Sequence, residues 1–138
     1  MPTPKTTNSL EARKVIESAL MTTAFISDSI VLVRAKPEVN INRDQAAHAN
    51  KLIEDSMPSD YGMIIDREAD YSIMPVEVFD VLNKIEKLKA IAIVVHRDRS
   101  AKAANIDKLL FKGHLKVFFS LLEANEWLNQ ILELDDNN

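Results

Sequence analysis

Residues 90–95 read AIAIVV and contain no polar side chain. Successive side chains of a strand point to opposite faces, so a strand built only from apolar residues needs cover on both sides. The run is short and rich in β-branched residues, which favours strand over helix. Met63-Ile64-Ile65 repeats the pattern directly after the turn over residues 58–62. Both runs are therefore expected as inner, parallel strands of one sheet with helices on its faces.

The flanking sequence supplies the helices. Asn42 and Gln45 have the spacing of a capping box, and Ala46, Ala49, Ile53 and Met57 follow as the inner face of a helix ending near Met57. Pro75 suits the first helical position of a second helix, with Val78, Val81, Leu82 and Ile85 at helical spacing. A third helix is expected over residues 100–112, lined by Ala103, Ile106 and Leu110 and stopped by Gly113. Residues 115–119 form a last strand. Ser120 and Glu123 then open a final helix carrying Ala124, Trp127, Leu128 and Ile131.

Ahead of these units lie two extended runs, residues 18–26 and 30–35 (IVLVRA), joined by Ser27-Asp28-Ser29 and ended by Pro37. They read as a β-hairpin. The expected fold is α/β: an N-terminal hairpin followed by βαβαβα, with a mixed five-stranded sheet and four main helices in one domain over residues 1–138. Residues 1–14 are expected as a flexible tail or short helix, and residues 135–138 as a solvated tail.

Composition narrows the function. Only two glycines occur, Gly62 and Gly113. Phosphate-cradling loops need several glycines close together, so nucleotide-binding loops of the usual kinds are excluded. No cysteine is present, which removes disulfides, thiol catalysis and thiolate metal sites. The net charge of -4 comes from interspersed acids and bases, without the basic block a nucleic-acid surface needs. His48, His96 and His114 fall in different elements, and no helical zinc spacing arises. No signal peptide and no apolar run of membrane-spanning length is seen, so the expectation is a cytoplasmic protein without metal or cofactor.

The segments IVLVRAKPEVNINRDQA (30–46), YGMIIDREADYSIM (61–74), AIAIVVHRDRS (90–100) and LKVFFSLLEANEWL (115–128), in this order, resemble the STAS / SpoIIAA-like superfamily. The resemblance spans the chain from about Leu20 and rests on element order and the C-terminal pattern. It implies a non-enzymatic module. Members include anti-sigma-factor antagonists, which bind a protein partner and are switched by phosphorylation of one serine. A related branch shares its fold with CRAL-TRIO lipid-binding domains and implies an apolar ligand. The serine nearest the switch position is Ser72, although the family's Asp-Ser-Ser-Gly pattern is absent here, with Tyr71 and Ile73 flanking that serine.

Two polar clusters follow the inner strands: Asp66, Arg67, Glu68 and Asp70, then His96, Arg97, Asp98, Arg99 and Ser100. Ligands of open α/β sheets gather at the carboxyl ends of strands, which would place both clusters on one rim. There Arg67, Arg97 and Arg99 would suit an anion. Against this, loop residues are polar because loop backbones must be solvated, and Asp98 or Ser100 would cap the third helix. Asp66 with Glu68 or Asp70 would likewise belong to an exposed loop. Asp66, Arg67, Asp70, Tyr71, Ser72, His96, Arg97 and Arg99 are the candidate ligand- or partner-binding residues.

Three functions follow in order. The first is a regulatory protein-binding module, with homodimerisation open. The second is a carrier or sensor of a lipid or other small apolar ligand, in a pocket bordered by Met57, Met63, Met74, Tyr71 and Phe79. The third is an enzyme using His96, with Ser100 the one local nucleophile.

Overall fold

The computed structural model of the chain describes residues 10–67, 72, 73 and 75–136, with the side chains of 72, 73, 99 and 134–136 outside that description. In chain order the elements are β1 (Lys14–Glu17), β2 (Met21–Phe25), β3 (Ile30–Ala35), β4 (Asn40–Ile41), α1 (Arg43–Ser56), β5 (Tyr61–Asp66), β6 (Ser72–Ile73), α2 (Pro75–Asn83), β7 (Leu88–Val94), α3 (Asp98–Asp107), β8 (His114–Phe118) and α4 (Leu121–Asp136). Six strands make one sheet in the order β1-β2-β3-β5-β7-β8. β1, β2 and β3 are antiparallel, whereas β3, β5, β7 and β8 are mutually parallel. β4 and β6 form a separate short parallel pair.

The two apolar runs are neighbours, with Ile64 opposite Ala92 and Ile65 opposite Ile93. Strand alternation divides their side chains between two cores. Met63, Ile91 and Ile93 pack with Ile53 and Met57 from α1 and its end, Phe79 and Leu82 from α2, and Ala104 from α3. Ile64, Ala90, Ala92 and Val94 pack with Ala124, Leu128 and Leu132 of α4. Each fully buried isoleucine contributes about 1.5–3 kcal/mol relative to exposure, so both faces are held strongly.

The α4 face is built for close approach. Its floor carries Gly62, Ala90 and Ala92, and a Cβ added at Gly62 would lie 2.8 Å from Leu128 Cδ2. α1 begins as its sequence predicts. Asn42 accepts from the Gln45 amide and Gln45 returns a bond to the Asn42 amide, both at 3.0 Å. Ser120 accepts from the Glu123 amide at the start of α4.

Several expectations are corrected. The main sheet has six strands rather than five, because residues 14–17 form an edge strand. Leu10 and Ala12 are buried against the α4-side core rather than lying in a flexible tail, and residues 1–9 lie outside the description. A four-residue strand with half-exposed side chains carries too little alternation to register in sequence. α4 runs on to Asp136, into the expected tail.

The largest shift concerns α3, which starts two residues early and ends at Asp107 instead of near Lys112. Its last turns tighten, with Leu109 and Leu110 donating to the carbonyls three residues back. The helix turns Ala104 and Asp107 inward, leaving Ile106 62% and Leu109 85% exposed. Gly113 is no helix stop. It lies beside β7, where a Cβ would come 2.9 Å from the Lys89 carbonyl oxygen. Neither Asp98 nor Ser100 caps the helix: Arg97 is the N-cap and makes no side-chain capping bond.

Candidate functional site

β3, β5 and β7 are adjacent and parallel, so their carboxyl ends share one rim. Arg34 follows Leu32 by two residues, Asp66 follows Ile64 by two, and His96 follows Val94 by two. Period-two alternation therefore sends all three side chains to the α4 side, like the residues they follow. They meet there. Arg34 Nε and Nη2 donate to Asp66 Oδ2 at 3.1 and 2.6 Å, and His96 Nε2 lies 2.8 Å from Asp66 Oδ1. A carboxylate oxygen only accepts, so Nε2 carries the proton in this bond.

Asp66 is completely buried, whereas the His96 side chain remains 41% exposed. A buried carboxylate needs compensating donors and positive charge, and Arg34 supplies both. Asp66 is thus the last residue of β5 and the centre of a network, not part of an exposed acidic loop. The row continues onto the antiparallel strands, where Thr22 lies opposite Arg34 and Glu17 opposite Thr22. Thr22 donates to Glu17, which also pairs with Lys36. Those hydrogen bonds hold the Glu17 carboxyl below its usual range.

Arg67 points the other way, as the residue after Asp66 must. Its guanidinium pairs with Asp107, a buried carboxylate on α3. Arg67 also closes one side of a pocket of about 70 Å³ between the sheet, α1 and α2. The remaining wall is apolar apart from Asn50: Met21, Val33, Ala46, Ile53, Met63, Ile65, Val78, Phe79 and Leu82 contribute to it. Asn50 Nδ2 donates to the Ala46 carbonyl, and its buried Oδ1 has no hydrogen-bond partner among the described residues. Met21 and Ile53 are shared with a larger apolar groove of about 400 Å³ between the hairpin and α1.

Of the candidate residues, Asp66 and His96 are brought together, and Arg67 is separated from them by the sheet. Arg97 is exposed at the α3 N-cap, and the side chain of Arg99 lies outside the description. The expected three-arginine anion site is therefore not assembled, because Arg67 is taken by Asp107 on the opposite face. Ser72 belongs to β6 and pairs with Asn40. Glu68, Asp70, Tyr71 and Met74 lie outside the described residues. Met63 and Phe79 line the pocket as expected, but Met57 packs in the core beside it. Ser100 heads α3, a helix on the face opposite the His96–Asp66 bond.

Sequence reasoning missed Arg34, Asp107 and Asn50. Tyr61 is another buried polar group: its hydroxyl has no hydrogen-bond partner among the described residues, and burial pushes its ionisation upward. Among the described residues, no helix is long and apolar enough to cross a membrane, and no three acidic or histidine side chains gather as metal ligands.

This architecture is a SpoIIAA-like fold. An uncharacterised protein of the DUF3478 family with a SpoIIAA-like fold, from Shewanella loihica PV-4, superposes on the chain with a TM-score of 0.52 and 17% sequence identity. The match covers 83% of this chain and 90% of that one. No family model and no curated protein sequence matches the chain.

Proposed function

We propose that the chain is a SpoIIAA-like binding module, without an enzymatic role, that senses or carries a small apolar ligand between α1, α2 and the sheet. The observation carrying this reading is the pocket behind Val78, Phe79 and Leu82, apolar but for Asn50 and Arg67. Binding sites for small molecules are concave and mostly apolar, with a few placed polar groups. A natural interior is otherwise close-packed, so space left against five or more apolar side chains has a use to explain.

Filling the space tests the reading. Ala46 is buried on the pocket wall, and Ala46→Leu places a branched side chain into it. Native mass spectrometry of protein from its own cells should show a retained apolar molecule in the native chain and none in the variant. A native chain that carries nothing, and whose spectra do not respond to small apolar probes, would overturn the proposal.

A second reading, a regulatory protein-binding module acting in the cytoplasm, draws support from α3. Its Ile106 and the following Leu109 are large apolar residues left open to solvent. Under this reading Leu109→Asp weakens capture of the partner while leaving stability unchanged.

A further inference from the structure

The ligand-binding reading leaves the rim network on the α4 side without a task, and one of its members is partly open to water. Asp66 is completely buried and takes two bonds from Arg34 through Oδ2. His96 reaches the other oxygen through Nε2 at 2.8 Å. Nε2 donates there, so the neutral ring keeps its lone pair on Nδ1. Among the described residues Nδ1 makes no hydrogen bond, and the His96 side chain is 41% exposed.

An imidazole held in this way is a directed nucleophile. Attack through Nδ1 puts positive charge on the ring, and a carboxylate fixed against the Nε2 proton meets that charge as it develops. Arg34 binds Oδ2 and leaves Oδ1 to the imidazole. The surroundings favour an electrophile that carries negative charge. Val95 N donates to the Phe118 carbonyl at 2.9 Å, so β7 and β8 stay paired to their ends, and two residues past Phe118 Ser120 opens α4. Ser120 takes the amides of Glu123 and Ala124, while those of Leu121 and Leu122 have no partner among the described residues. Such a helix start carries partial positive charge, and Arg97 is exposed one residue from His96. Glu123 and Asp98, in the first turns of α4 and α3, oppose that charge only in part.

We infer that His96 is a phosphoryl acceptor, modified at Nδ1 by a donor of the phosphoramidate or acyl-phosphate class. The Nδ1 lone pair forms the new P–N bond while the donor's own bond to phosphorus breaks. The leaving group, ammonia from a phosphoramidate or a carboxylate from an acyl phosphate, departs with that bonding pair. The ring proton stays on Nε2, where Asp66 holds it, so no oxidant or further base takes part. The pocket lies on the opposite face of the sheet, and its occupancy has no part in this step.

Potassium phosphoramidate, incubated with the full chain at neutral pH, tests the assignment by peptide mapping under alkaline conditions and by phosphorus NMR. His48 and His114 are also exposed and serve as internal standards. His96 should be phosphorylated at least about tenfold faster than either, with Nδ1 carrying the first product. That preference should vanish in urea, where the three rings become alike. Asp66→Asn, which keeps the shape and removes the charge, should slow His96 by a similar factor and leave His48 unaffected. No labelling of His96, equal labelling of the three histidines, first labelling on Nε2, or a native rate in Asp66→Asn overturns the inference. The comparison among histidines of the native chain decides the matter even where the variant fails to fold.

Discussion

Replacing Asp66 by Asn tests whether the rim network is one cooperative unit. The carboxylate accepts from Arg34 Nε at 3.1 Å, Arg34 Nη2 at 2.6 Å and His96 Nε2 at 2.8 Å. An amide of the same shape has one oxygen and one NH₂ group. Turned one way, its NH₂ faces the guanidinium, a donor against a donor; turned the other, it faces His96 Nε2, which can accept only by moving its proton to Nδ1, and in both cases Arg34 loses its negative partner. Breaking a buried charge pair by removing one partner costs about 3–5 kcal/mol when the survivor has no access to water. Arg34 keeps 18% of its side chain exposed and His96 41%, so both recover some solvation. We expect a loss of about 2–3 kcal/mol, read as a lower urea midpoint at unchanged slope. For a chain of this size that corresponds to a fall in Tm of roughly 6–12 °C. Arg34→Met removes the opposite partner. The Asp66→Asn, Arg34→Met double variant should be destabilised by at least about 1 kcal/mol less than the sum of the singles, because the second change removes the charge the first left stranded. A loss below about 0.5 kcal/mol for Asp66→Asn, or strict additivity, would refute the view of these groups as a unit.

Two further outcomes follow from buried groups elsewhere. Tyr61→Phe deletes a hydroxyl that is buried without a partner and should raise stability by about 1 kcal/mol in chemical denaturation. Because burial raises the folded-state phenol above the ordinary value near 10, the unfolded chain releases its proton first, and stability falls as pH climbs past that value; unfolding curves between about pH 9 and 11 should show a shallower decline in the Phe variant. Gly62→Ala places a methyl group 2.8 Å from Leu128 Cδ2 in a fully buried contact, with an expected cost of about 1–3 kcal/mol by thermal denaturation. Leu128→Val in the same chain should return part of that loss.

The central strands and the first helix were legible because their signals are local and strong. Apolar runs at 63–65 and 90–95 have no stable exposed conformation, and the Asn42–Gln45 box fixes a helix start within a few residues. The failures have a common physical origin in long-range partners. β1 exists because Lys14–Glu17 finds β2, as Arg13 N donating to the Phe25 carbonyl at 2.8 Å illustrates. The face of α3 is chosen by the buried Asp107 reaching Arg67, forty residues away. Hydrophobic spacing favoured Ile106 as the inner residue. The ion pair outweighs it, since an unpaired buried guanidinium costs more than one exposed isoleucine gains.

The site shows the same division, with a sharper lesson in strand parity. Asp66 and Arg67 are adjacent in sequence and were grouped as one polar cluster. In a strand, neighbours belong to opposite faces, so grouping by proximity joins residues that the sheet must separate. Counting by twos instead links Leu32 to Arg34, Ile64 to Asp66 and Val94 to His96, and the parallel register of β3, β5 and β7 places all three on the α4 side. Arg34 escaped notice because an arginine ending an apolar strand normally reads as its exposed edge. The signal that identifies it is the pairing of that cation with an acid at the same level of the neighbouring strand. The opposite parity sends Arg67 toward α3 and the pocket, where Asp107 neutralises it. One rim thereby yields two closed ion-pair systems on two faces of the sheet, Arg34 and His96 with Asp66 on the α4 side and Arg67 with Asp107 on the other.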